Sequence, residues 1–259
     1  MIQPPLAPIA PPPIENPVWN GWDVLTIASL TFVAMVVLQL GLVLVEQWLR
    51  YPHQSFVEVA QKVAQMPTLL LLSQFLIYAA VAACMIMTVE GKYRVPFWQA
   101  IRWNWPRSEW GLLGLGGVLF VGLFALENLL PMPKDTPFEH LFDRPRDAYL
   151  LSLIAVTLGP LMEELFFRGF LYPVLARRMG KVIAILLTST LFGLLHGAQL
   201  GYSWAVLIIF LVGVVLTTVR AVTKSVASSF LVHVGYNATL SALLFIATSG
   251  FRHLERLNQ

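Results

Sequence analysis

The sequence predicts an all-α, polytopic membrane protein: a bundle of about seven spanning helices, within a range of six to eight. Composition is the first observation, since 57% of the 259 residues are hydrophobic and 12% are charged, against about 25% charged in a soluble domain. The second is a set of seven apolar segments that reach or approach the roughly 20 residues needed to cross about 30 Å of hydrocarbon. Backbone groups in lipid must be satisfied within each segment, so these segments are helices.

The apolar segments place the spans along the chain, and two of them are shorter than the rest. We predict spans near residues 24–45, 68–89, 110–130, 149–166, 182–197, 203–219 and 226–247. The fourth and fifth are the short ones, and they also contain polar residues. The connections 46–67 and 131–148 are long enough for helices that lie at the membrane interface.

A single membrane domain is expected over residues 23–247, between a Pro-rich tail at 1–22 and a C-terminal tail at 248–259. The first 17 residues contain seven prolines and no basic residue. A signal peptide needs a charged start followed by an apolar core, so this segment is not one. Its composition is typical of a disordered, partly polyproline II segment.

The charges indicate a bilayer protein and give a weak orientation. The net charge of +3 comes without a Lys/Arg cluster interleaved with aromatic residues, so nucleic acid is not an expected partner. Loops 90–109, 167–181 and 220–225 carry nine lysines and arginines when Arg168 is set aside, against seven in the opposite set. This excess favours a cytoplasmic location for the first set and for the N-terminus.

Ionisable residues inside spans carry the functional signal. Each costs at least about 2.5–3.5 kcal/mol to insert and is a functional hypothesis by default. Three groups of polar residues lie in or next to the predicted fourth, fifth and seventh spans: Glu163, Glu164 and Arg168; His196; and His233 with Asn237.

The first group separates two adjacent carboxylates. At about 100° per residue, Glu164 and Arg168 fall within about 40° of each other and can pair. Glu163 lies about 140° from Arg168 and points elsewhere. One carboxylate is then neutralised while the other is available as a general base. The alternative is a buried salt bridge with a spare, protonated carboxylate.

The positions of the two histidine groups favour a reactive site, because His196 should lie at the same depth in the membrane as Glu163. Gly180 lies in the expected turn between the fourth and fifth helices, 17 residues after Glu163 and 16 before His196, so the two side chains should be level. His233 and Asn237 are four residues apart on one face and can donate to a single oxyanion. A metal ligand set and simple interhelical hydrogen bonding remain alternatives.

Three motifs carry a resemblance to a known family. Residues 163–168, "EELFFR", match EExxxR; residues 192–196, "FGLLH", match FxxxH; and residues 233–237, "HVGYN", match HxxxN. In this order on late membrane helices, they resemble the CPBP family of intramembrane proteases. That family includes CAAX prenyl endopeptidases of the Rce1 type and Abi-type proteins linked to bacteriocin processing and self-immunity.

The resemblance implies roles for each matched position. Glu163 would activate the attacking water with help from His196, Glu164 would pair with Arg168 and support the site, and His233 and Asn237 would stabilise the oxyanion. Both glutamate-dependent and metal-dependent mechanisms are open. In the second, Glu163, His196 and His233 would hold a divalent ion such as zinc.

The predicted function is therefore an intramembrane endopeptidase of a bacterial plasma membrane, acting on a peptide or protein substrate. Two alternatives belong to other classes. A proton-coupled transporter would use the carboxylates and histidines as a relay. A non-catalytic immunity or scaffold protein would use them only to fix helix packing.

Overall fold

The computed structural model describes residues 15–132 and 144–253, and this part of the chain is helical without strands. The helices are α1 (Gly21–Arg50), α2 (Phe56–Ala64), α3 (Pro67–Ile86), α4 (Phe97–Ala100), α5 (Glu109–Glu127), α6 (Pro145–Val156), α7 (Leu158–Glu163), α8 (Tyr172–Met179), α9 (Lys181–Leu195), α10 (Ala205–Thr223) and α11 (Val226–Ala247). Two π-helical segments, Met87–Lys92 and Glu164–Leu171, follow α3 and α7 directly. The predicted all-α class is confirmed.

Six helices among the described residues are long and apolar enough to cross a membrane. They are Gly21–Arg50, Pro67–Lys92, Glu109–Glu127, Pro145–Met179, Ala205–Thr223 and Val226–Ala247. The predicted fifth span is present as α9, but it has 15 residues and is shorter than a full crossing. The chain is thus an integral, multi-pass membrane protein, and its helix positions match the hydropathy pattern.

Residues 15–20 of the N-terminal segment pack against the helical bundle. Residues 1–14 lie outside the described residues. Glu15 and Trp19 are buried, and Asn20 caps α1 through a reciprocal hydrogen-bond pair with Asp23. The packing of residues 15–20 has no signal in the proline content, which is a local property, because burial here depends on partners far along the chain.

The connections that were expected on one side of the membrane meet at one end of the bundle. The Val226 N–H donates to the Arg102 carbonyl at 3.1 Å, and Arg177 donates to the carbonyls of Pro17 and Trp19. The N-terminal segment, the 90–109 loop, the α8–α9 turn and the α10–α11 turn therefore lie together. Helix α2 lies within the 46–67 connection, which the sequence analysis found long enough for a helix.

Helices α5 and α11 approach each other closely through two glycines. A Cβ added at Gly235 would lie 2.1 Å from the Leu113 carbonyl oxygen, and one at Gly116 would lie 2.1 Å from the Val232 carbonyl oxygen. No other residue fits without separating the helices. Because α11 carries two of the predicted site residues, this contact also sets their position.

We expect Gly235→Ala to lower stability by about 1–3 kcal/mol, since the added methyl overpacks a helix–helix contact. The measurement is thermal unfolding in detergent. Gly114→Ala is the matched control on α5, because nothing lies within 4 Å of a Cβ there. Equal melting temperatures for the two variants would contradict the close-contact interpretation.

Candidate active site

The helix that carries the two glutamates is interrupted twice. Pro160 cannot donate the N–H that would bond the Val156 carbonyl, and the helix breaks at Thr157, where φ is −116° and ψ is −79°. After Glu163 the backbone widens into the π-helical segment Glu164–Leu171. Such segments are frequent at functional sites because they re-aim side chains.

Glu164 and Arg168 form the predicted ion pair, fully buried. Arg168 Nη1 donates to Glu164 Oε1 at 2.9 Å, and neither side chain is exposed. The remaining arginine donors reach α10, where Nε donates to Thr217 Oγ1 at 3.2 Å and Nη2 to the Gly213 carbonyl at 3.3 Å. A buried charge is tolerated when it is paired and hydrogen-bonded in this way.

The same glutamate oxygen also holds His233. His233 Nδ1 lies 3.0 Å from Glu164 Oε1. An ionised carboxylate only accepts, so this nitrogen carries the proton. Nε2 of His233 then faces Glu163, whose Oε2 lies 3.7 Å away. Glu164 thus links the arginine to the histidine and fixes the orientation of the imidazole.

Glu163 lies between two imidazoles. Its Oε1 is 3.7 Å from His196 Nε2, and its Oε2 is 3.7 Å from His233 Nε2. The side chains of Glu163 and His196 are 22% and 23% exposed, whereas Glu164 and Arg168 are fully buried. The carboxylate that the sequence predicted to be free is therefore the more exposed of the two. The expected common depth of Glu163 and His196 is confirmed.

His196 is oriented by its own helix. Its Nδ1 lies 2.8 Å from the Phe192 carbonyl oxygen, which can only accept, so the proton is assigned to Nδ1. The Nε2 atom of His196 consequently faces Glu163. The Phe192 ring lies 4.7 Å from the His196 ring and 4.4 Å from the Arg168 guanidinium.

Asn237 lies one turn after His233, but its described contact is with another helix. Its Nδ2 donates to the Ala155 carbonyl at 2.7 Å, just before the break at Thr157. One amide hydrogen is thereby engaged, and one remains for another acceptor. The predicted donation by His233 and Asn237 to a single oxyanion stays a prediction.

The predicted metal set stays a prediction. Among the described residues, no group of three or more His, Cys, Asp or Glu side chains is placed to hold a metal ion. In the predicted set, the Glu163 carboxylate lies between the two imidazoles, and each Nε2 atom faces a different carboxylate oxygen at 3.7 Å.

Sequence reasoning missed three residues that hold the site together. Phe192 begins the FxxxH motif, and its carbonyl and ring contact His196 and Arg168. Thr217 and Gly213 accept from Arg168. A hydroxyl inside the apolar α10 was the available signal for Thr217, but nothing in the sequence pairs it with an arginine 49 residues away.

Comparison with known proteins locates the site within one family segment. Residues 145–239 match the model described as type II CAAX prenyl endopeptidase Rce1-like. The resemblance carried by the three motifs is confirmed over this segment, and the matched segment contains all six predicted site residues. Helices α1, α3 and α5 lie outside it.

A curated relative extends the similarity. The chain is 31% identical over 138 residues to an Escherichia coli protein named "Uncharacterized 24.3 kDa protein", and this covers 52% of the chain. The chain spans 62% of the length of that relative. No solved structure matches.

Proposed function

We propose that the protein is an intramembrane endopeptidase in which Glu163 activates the attacking water. One observation carries this proposal: the exposed carboxylate of Glu163 faces the Nε2 atoms of His196 and His233, while both Nδ1 atoms are engaged elsewhere. The Glu163 carboxylate and the His196 Nε2 atom then offer two acceptors at one partly accessible place. A water molecule, with two donor hydrogens, is the small molecule that suits them.

The proposed reaction consumes one water and returns every proton. Water donates one hydrogen to Glu163 and one to His196, and the carboxylate takes its proton as the oxygen attacks the peptide carbonyl carbon. The resulting tetrahedral oxyanion collapses, the C–N bond breaks, and the Glu163 proton passes to the leaving nitrogen. The second hydrogen of the attacking water stays on the new carboxyl group and is then lost to the amine. The products are a carboxylate terminus and an ammonium terminus.

The surrounding charges support this division of roles. Arg168 offsets Glu164, so the second carboxylate adds no unpaired negative charge beside Glu163. Glu164 in turn orients His233 through Nδ1, and in the proposed mechanism His233 acts as a donor at Nε2 when the oxyanion forms. We propose that this donor and the remaining Asn237 hydrogen stabilise the oxyanion, as the family resemblance implies.

The substrate class follows from the family description. We propose that the substrate is a peptide with a prenylated cysteine near its C-terminus. It would reach the site from the end of the bundle where residues 15–20 lie. The basic loops that meet there favour the cytoplasmic side.

The test uses purified protein in liposomes and a peptide with a farnesylated cysteine followed by three residues. We expect release of the three-residue product by the wild type, measured by mass spectrometry, and much less from the same peptide without the farnesyl group. Equal cleavage of the two peptides would show that the enzyme does not require the prenyl group. No cleavage of either peptide would contradict the substrate class.

A chelator arm tests the glutamate-dependent mechanism. We expect activity to survive a strong zinc chelator. If the chelator abolishes activity and added zinc restores it, Glu163, His196 and His233 would instead be zinc ligands.

A further inference from the structure

Trp19, near the start of the described chain, packs against the helix that carries the two glutamates. Its side chain is fully buried, its Nε1 donates to the Phe170 carbonyl at 2.8 Å, and its ring stacks on the Phe170 ring with centroids 4.7 Å apart and planes within 1°. Phe170 is the seventh residue of the π-helical segment Glu164–Leu171. The contact joins residues 151 positions apart.

The point of attachment lies next to a carbonyl that loses its helical donor. Pro173 has no N–H to donate to the Gly169 carbonyl, one residue before the Phe170 carbonyl that Trp19 contacts. A widened turn without that bond is easier to deform. The indole N–H supplies a bond from another part of the chain to the same stretch of backbone.

The segment that presents Trp19 is held at both ends. Glu15 accepts from Arg102 and from Arg220, each at 3.0 Å. Arg177 Nη1 donates to the Pro17 carbonyl at 2.8 Å, and Nη2 donates to the Trp19 carbonyl at 3.2 Å.

Two of these contacts lead back to the site. Arg220 lies three residues after Thr217, which accepts from Arg168. Arg177 lies on α8, which continues the π-helical segment without a gap. Residues 15–20 therefore contact both α8, which continues the helix that carries Glu164 and Arg168, and α10, to which Arg168 donates.

We propose that residues 15–20 brace the π-helical segment, and that Trp19 is a positioning residue for Glu163 and Glu164. The brace fixes the backbone at Phe170, and the stiffness of the segment transmits that position to the carboxylates. Trp19 has no contact with reacting atoms. Only the kinetic test of this proposal depends on the proposed peptidase function.

Trp19→Phe is the first variant, because it keeps an aromatic ring against Phe170 and removes the N–H. Small misplacements of catalytic groups cost up to about 10²-fold in rate, so we expect kcat to fall by about tenfold with KM within about twofold. Trp22→Phe is the matched control, since Trp22 is three residues away and 75% exposed; it should leave kcat unchanged.

Hydrogen–deuterium exchange of residues 164–172 is the second readout, and it needs no substrate. We expect faster exchange in Trp19→Phe than in the wild type or Trp22→Phe. Unchanged exchange would overturn the brace. Faster exchange with unchanged kcat would overturn the positioning role.

Two further outcomes are separable. If the wild type cleaves no peptide, the proposed function fails while the exchange comparison still decides the brace. If Trp19→Phe does not fold, Arg177→Gln weakens the same segment from the other side and is judged by the same two readouts.

Discussion

Replacing Glu163 by glutamine will lower kcat by about 10²–10⁴-fold, the range expected for loss of a positioned general base. Glutamine keeps the size of the side chain and its contacts with His196 and His233, but it cannot take a proton from water. Peptide hydrolysis by purified protein in liposomes measures the effect. KM should change little, because the carboxylate acts on water rather than on the substrate.

The comparison needs evidence that the variant is folded. Glu163 is 22% exposed and makes no contact shorter than 3.7 Å to either histidine, so its melting temperature in detergent should stay near that of the wild type. Glu127→Gln is a control for general carboxylate loss in a span and should keep full activity. A fully active Glu163→Gln would exclude the glutamate as the base.

Replacing Arg168 by methionine will have the largest effect on stability. The change leaves Glu164 buried without its cation and removes two bonds to α10, a loss of about 3–5 kcal/mol for breaking a buried pair. Thermal unfolding in detergent gives the measurement. Arg178→Met, on an exposed side chain of the neighbouring α8, is the control and should shift the melting temperature little.

A double variant separates stability from chemistry. Replacing both members of a buried pair by apolar residues can restore stability that a single change removes, so Arg168→Met with Glu164→Leu should unfold at a higher temperature than Arg168→Met alone. It should stay inactive, because His233 loses the carboxylate that orients it. Recovery of activity together with stability would show that the pair has no role in positioning the histidine.

The fold could be predicted because hydropathy is a property of contiguous sequence. Each predicted span coincides with a helix, and the turn at Gly180, where φ is +79°, is the one used to place Glu163 level with His196. The Glu164–Arg168 pair was also predictable, since a spacing of four residues brings side chains together within one helix.

The rest depends on contacts between distant residues. Trp19 and Glu15 read as part of a proline-rich tail, but their partners are Phe170, Arg102 and Arg220. The widening of the backbone after Glu163 and the engagement of Asn237 by Ala155 also have no local signature. Helical periodicity assumes a regular α-helix, and the site lies where the helix is irregular.

The most direct test of the central claim compares peptide termini, by mass spectrometry, in cells that express the wild type or Glu163→Gln at matched levels. The account predicts new carboxylate and amine termini at the membrane with the wild type, and their absence with the variant. The same new termini from both proteins would contradict hydrolysis by Glu163-activated water.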